Sequence, residues 1–169
     1  LWVCTQDGLL QVPPDGRSVL PVHLQGGSKL KGDAFTVAQG PDQALWVGTS
    51  QGIFRIPAHS HEMVSVAAEP GGELGTPVVI GLLWDRANRL WVDTAVSGLH
   101  KLESWNGTAA RFDRVSQRHG FVSRPFGANL MEDAQGRIWT QMHVYDPKAD
   151  SMLMLSAVDG IDIGTPWFF

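Results

Sequence analysis

A tryptophan returns along this chain at a nearly constant interval. It stands at Trp2, Trp46, Trp91 and Trp139, with separations of 44, 45 and 48 residues. No other feature constrains the fold as much, because a repeat of this length is a supersecondary module that buries its apolar face only against its neighbours. The surroundings repeat with it. Leu1, Leu45, Leu90 and Ile138 precede the Trp, and Thr5, Thr49, Thr94 and, less in step, Thr140 follow it. A glycine then reopens the chain at Gly8, Gly52 and Gly98, each followed by Leu or Ile.

A second element lies upstream. "LLWDRANRLW" (82–91) and "LMEDAQGRIW" (130–139) place Asp85 and Asp133 six residues before the Trp, with Asn88 and Gly136 three before it. Asp hydrogen-bonds its own following backbone, and Gly or Asn accepts the positive φ that reverses a strand, so each stretch reads as a hairpin turn. In "TVAQGPDQALW" (36–46) Gly40 stands at the Asp position, with Asp42 nearby. Sustained helical spacing of apolar residues is absent. Each unit therefore divides into four short strands, in the third unit Val78–Trp84, Leu90–Thr94, Gly98–Leu102 and Ala109–Asp113. Turns between third and fourth strands fall at 12–18, 57–61 and 103–107. Four strands per 40–50 residues predict an all-β fold, a β-propeller of about four four-stranded blades, with the Trp packed between blades. The units run approximately 1–32, 33–77, 78–125 and 126–164, with 165–169 starting a further blade.

On these residues the chain resembles the two-component regulator propeller repeat. "MEDAQGRIWT", "LWVGTSQGIFRI" and "LWVDTAVSGLHKL" carry the likeness, which extends over nearly the whole chain. Cys4 and Asp93 depart from it by replacing the Gly before the Thr, and the third unit adds a residue to its Thr-to-Gly turn. "IWTQMHVYDP" (138–147) lacks the Gly, so a shortened turn is expected there. The resemblance implies a bacterial sensor receptor. Its propellers, usually seven-bladed, lie in the periplasm ahead of a membrane helix and a histidine kinase or diguanylate cyclase module. It implies a small-molecule or oligosaccharide ligand and self-association of the parent receptor.

The chain opens inside a repeat without Met and stops in the apolar "TPWFF". We expect a slice of a larger propeller, internal to a longer protein; the alternative is a last strand that closes a four-bladed ring on the first unit. A slice exposes an inter-blade face and unpaired edges.

Composition excludes other classes. With 43% apolar and 18% charged residues the chain is neither disordered nor membrane-embedded. The longest apolar stretch, 77–84, is too short to span a bilayer as a helix. A net charge of −4 without a basic run argues against nucleic acid. The lone Cys4 allows no internal disulfide.

Candidate chemistry is sparse. Neither a Gly-x-Ser-x-Gly elbow nor a His-Glu-x-x-His pair is present. His59 and His61 could share a metal with Glu62, but no further ligand is evident, and solvated loop histidines are the commoner case. Asp85 and Asp133 are explained by their turns. His143 reads as a satisfied strand histidine, and Asn106-Gly107-Thr108 as a turn. Arg111, Arg114, Arg118, Arg124 and His119 read as a solvated linker. No catalytic residue, metal or cofactor is assigned. Trp105, in "ESWNG", is the candidate ligand contact, since an aromatic face stacks on a sugar ring; the competing reading folds it back on its own unit. The leading function is a non-catalytic sensor-receptor binding module. The alternatives are a lyase resembling the streptogramin lyases, which would want catalytic His and Glu, and a dimerisation scaffold.

Overall fold

The computed structural model describes residues 1–121 and 129–155, and within them the chain forms four sheets in sequence order, each built on an antiparallel meander. The first holds β1 (Trp2–Thr5), β2 (Gly8–Gln11) and β3 (Leu20–Pro21). After the two-residue β4 (His23–Leu24) come β5 (Ala34–Gln39), β6 (Leu45–Thr49), β7 (Gly52–Ile56) and β8 (Glu62–Ser65) of the second. After β9 (Ala67–Ala68) come β10 (Val79–Trp84), β11 (Leu90–Thr94), β12 (Gly98–Trp105) and β13 (Ala109–Asp113) of the third. A single helical turn, α1 (Val115–Arg118), leads to the fourth: β14 (Met131–Glu132), β15 (Ile138–Trp139), β16 (His143–Asp146) and β17 (Ser151–Met154). The all-β arrangement is consistent with a slice of a propeller.

Alternation along the second strands builds the core. Val47 faces the first sheet and Trp46 the third, because successive side chains leave opposite faces of a strand. Three apolar clusters result, one per seam. Leu9 and Leu30 meet Val47, Phe54 and Met63; Trp46 and Ile53 meet Val79, Leu90, Val92 and Phe112; Trp91, Leu99 and Val115 meet Ile138 and Tyr145. Trp46 and Trp91 are 1% and 0% exposed, so each anchors a seam. Gly48 is enclosed between Thr36 of its own sheet, whose Cγ2 would lie 2.6 Å from a Cβ there, and Val79 of the third sheet. A Cβ there would lie 2.7 Å from Val79 Cγ1 and 3.0 Å from its carbonyl oxygen.

The first sheet has three strands, and the second and third exceed the four expected of a complete unit. The second and third sheets have five strands, because β4 and β9, from the segments crossing between sheets, add in parallel to β8 and β13. Each crossing thereby covers the outer edge that would otherwise present unpaired backbone.

Two further expectations are corrected. "ESWNG" is not all turn: β12 continues through Trp105, past a register shift between Leu102 and Ser104, and the reversal falls at Asn106–Thr108. In the fourth unit the second-to-third turn keeps its length and the strand is shortened instead. Thr5 and Thr49 donate Oγ1–H to the carbonyls of Gly8 and Gly52, three residues on, at 2.8 and 2.9 Å. Thr140 does the same to His143 at 3.5 Å. Thr140 directly follows its Trp, where Thr49 stands three residues after, so this hairpin closes two residues early and His143 occupies the glycine position. The readings placed on Arg124 and on 165–169 lie outside the described residues.

Candidate functional site

The repeat motif assembles a three-part contact. Asp85 Oδ1 accepts the backbone N–H groups of Ala87 (2.9 Å) and Arg89 (2.8 Å), while Oδ2 accepts Arg89 Nε–H (2.6 Å) and the Trp91 indole N–H (2.8 Å). Asp133 repeats this with Gln135, Arg137 and Trp139 at 2.9, 3.0, 2.7 and 2.7 Å. The guanidinium carbons of Arg89 and Arg137 lie 5.4 and 5.3 Å from the Trp ring centroids. Burial raises the Asp85 carboxyl, but the indole, the Arg89 N–H and the guanidinium outweigh it and hold the group below the ordinary carboxylate value. Asp133 is held far lower by the same set of partners. Asn88 and Gly136 both adopt positive φ, 58° and 83°, which closes these turns. Arg89 and Arg137 escaped the sequence reading, although both stand two residues before a repeat Trp.

The second unit reaches a similar contact by other residues. Gly40 and Ala44 replace the Asp and Arg, and Arg55 comes from the adjacent strand to lie 5.9 Å from the Trp46 centroid, paired with Asp42 at 2.5 Å. A Cβ on Gly40 would lie 2.8 Å from Asp42 Oδ1 and 3.3 Å from Cε2 and Cζ2 of Trp84, so the Asp42 carboxylate and a ring from the third sheet together cover the site of the missing carboxylate. The indole N–H groups of Trp46 and Trp84 are buried without a hydrogen-bond partner.

Trp105 joins this aromatic group. It meets Trp46 edge-on at 5.3 Å and 72°, and Arg55 lies 5.7 Å from its centroid. Half-buried, it also lines a cleft of about 500 Å³ with Leu24, Phe54, Met63, Gly107 and Thr108. The ring thus both packs across a seam and forms part of a wall. A smaller cleft of about 350 Å³ lies between the second and third sheets, floored by Ile53, Val66, Leu74 and Phe112 and rimmed by Gln51, Glu73 and Thr76. Both volumes fall in the range of small-molecule sites.

The remaining candidates are dispersed or engaged. His61 and Glu62 line a cleft with His23, while His59 holds a turn at φ 62°. Among the described residues no three His, Cys, Asp or Glu side chains are grouped to hold a metal ion. The arginines form a brace rather than a free loop. Arg118 pairs with Asp113 (3.1 Å) and Asp150 (2.6 Å), and Asp150 also accepts the Tyr145 hydroxyl at 2.7 Å and lies 3.1 Å from His119 Nε2. This ties α1 to the fourth sheet. Arg111 pairs with Glu103 across its hairpin, and Arg114 donates Nε–H to the Glu73 carbonyl. His143 is buried with its ring 5.0 Å from Phe121.

Two buried titratable groups carry no motif. Asp93 has no exposed surface; burial pushes its carboxyl well above the ordinary value, and the backbone N–H of Thr94, the one donor near it and too poorly placed to form a hydrogen bond with either oxygen, offsets this only in part. His100 is pushed down by burial; its Nδ1 lies 2.7 Å from the Gly98 carbonyl, and its Nε2 has no partner.

No protein-family model and no curated protein matches the chain. Solved structures do. An extracellular domain assigned to the hybrid two-component system BT3049 of B. thetaiotaomicron superposes with a TM-score of 0.72 at 15% identity, over 93% of this chain and 21% of that one. Two structures of the BT4673 extracellular domain of the same organism, assigned once to a one-component and once to a hybrid two-component system, give TM-scores of 0.74 and 0.75. They are 16% and 14% identical, each over 99% of this chain and 25% of that one. The chain therefore spans a quarter or less of the length of these domains and shares their fold.

Proposed function

We propose that this chain is a propeller segment of the extracytoplasmic sensing region of a bacterial membrane receptor. The observation that carries the reading is the likeness, over 93–99% of the chain, to extracellular domains of signalling systems. The repeat motif supports it, since the Asp–Arg–Trp contacts of the third and fourth units stiffen a scaffold and leave the clefts between sheets for recognition. In this reading the segment lies in the periplasm, performs no turnover, and the parent receptor self-associates when ligand binds. The ligand is a small molecule or oligosaccharide, and Trp105 offers it a stacking face in the 500 Å³ cleft.

The test is the complete reading frame and a response assay on it. A following membrane helix and a kinase, cyclase or DNA-binding output module are expected. Trp105→Ala in the full receptor should raise the ligand concentration needed for half-maximal output by about tenfold, the loss of roughly one stacked ring. A frame with no membrane anchor or output module would overturn the receptor reading. A Trp105→Ala receptor with unchanged ligand response would overturn only the site.

A further inference from the structure

The turn that follows Trp105 contains the chain's only Asn-Gly pair, Asn106-Gly107. Asn106 Oδ1 accepts the backbone N–H groups of Thr108 at 3.0 Å and Ala109 at 2.8 Å. Those donors polarise the side-chain carbonyl and stand ready for charge developing on its oxygen, as donors in an oxyanion hole do. Asn106 Nδ2 lies 3.2 Å from Glu69 Oε1, which places a carboxylate beside the departing nitrogen. Gly107 has φ 98° and nothing within 4 Å of the position a Cβ would take. Its N–H takes part in none of the turn's hydrogen bonds.

We propose that Asn106 is a self-modification site. The Gly107 nitrogen attacks Cγ of Asn106, forming an N–Cγ bond and a five-membered succinimide. The Cγ–Nδ2 bond breaks, and the proton lost from Gly107 leaves with that nitrogen as ammonia, relayed by the Glu69 carboxylate. Water then opens the imide. Cleavage on the Cγ side yields aspartate, and cleavage on the backbone side yields isoaspartate. No oxidant or reductant takes part.

The product alters a seam. β9 is held to β13 by Ala67 N–H to the Thr108 carbonyl (3.3 Å) and Glu69 N–H to the Ala110 carbonyl (2.8 Å). A carboxylate at position 106 replaces the Asn106–Glu69 hydrogen bond with like-charge repulsion, and isoaspartate also lengthens the turn by one backbone atom. Conversion loosens the crossing that joins the second and third sheets, beside the Trp105 cleft.

The test incubates the folded 169-residue chain at neutral pH and 37 °C and follows the tryptic peptide 102–111 by mass spectrometry, with the synthetic peptide of those residues alongside. A gain of about one mass unit at Asn106, at least as fast in the chain as in the free peptide, is expected. Glu69→Gln, which keeps a hydrogen-bond acceptor, should slow the chain about tenfold, a modest share of what a placed acid–base group contributes, and leave the free peptide's rate untouched. A chain that stays unmodified while the peptide converts would show that the turn shields Asn106 and overturn the proposal. So would equal rates in wild type and Glu69→Gln with unchanged circular dichroism.

Discussion

Asp93 shows how one residue sets a pH dependence that its repeat neighbours do not share. It stands where the sister units carry Cys4 and Gly48, buried and with neither oxygen hydrogen-bonded. Burial raises its folded pKa above an unfolded value of about 3.9, so the folded chain holds the proton more tightly than the unfolded one. Stability from this group is complete below the unfolded value and is lost as pH climbs towards the folded one. Asp93→Asn keeps the size and removes the ionisation. The variant's melting temperature, relative to wild type, should therefore be higher at pH 7 than at pH 4; an equal difference at both would mean Asp93 is hydrated in solution. Asp85 works the other way. Its lowered pKa contributes stability at neutral pH that falls away in acid, and the contrast follows from four hydrogen bonds at one carboxylate against a single poorly placed backbone N–H at the other. The turn role of Asp85 and Asp133 was legible from the Asp-to-Trp spacing. The isolation of Asp93 was not, because burial is a property of the neighbouring sheets.

At the scale of the element, the hairpin between first and second strands is a module with interchangeable parts. Two units use Asp, Arg and Trp within seven residues; the second borrows Arg55 from β7 and yields the carboxylate's space to Trp84. Restoring the motif with Gly40→Asp should therefore destabilise the chain, by roughly 1–3 kcal/mol, since overpacking against the Trp84 ring and crowding against the Asp42 carboxylate outweigh a gained hydrogen bond. Combined with Trp84→Ala the same change should be better tolerated. A double-mutant cycle by urea unfolding should give a coupling of about 1–3 kcal/mol in that direction, and additive effects would show that the Asp42 carboxylate, not Trp84, sets the cost. Likewise the shortening of β15 was visible in the sequence as a missing glycine, yet the sequence misplaced it. Only the Thr140–His143 contact shows that strand, not turn, was lost.

For the whole molecule, stability resides in the seams, because the second and third sheets each contribute one face to the cluster before them and the other to the cluster after them. Trp91→Ala should cost about 3–5 kcal/mol and uncouple the fourth sheet, splitting one urea transition into two followed by fluorescence and circular dichroism. A single transition merely shifted to lower urea would mean the brace of Arg118, Asp150 and Tyr145 suffices to hold that seam. The 45-residue period, the strand alternation and the turn chemistry were determined by the sequence alone, since they are local: each depends on residues within one hairpin and on side chains alternating across a strand. What only the tertiary structure decided is everything that needs two sheets at once. The parallel strands β4 and β9, the bidirectional role of Trp105, the closure of Gly40 by Trp84 and the burial of Asp93 all depend on how near one sheet lies to the next. That distance is set by packing across the seam, which no spacing within a single unit encodes.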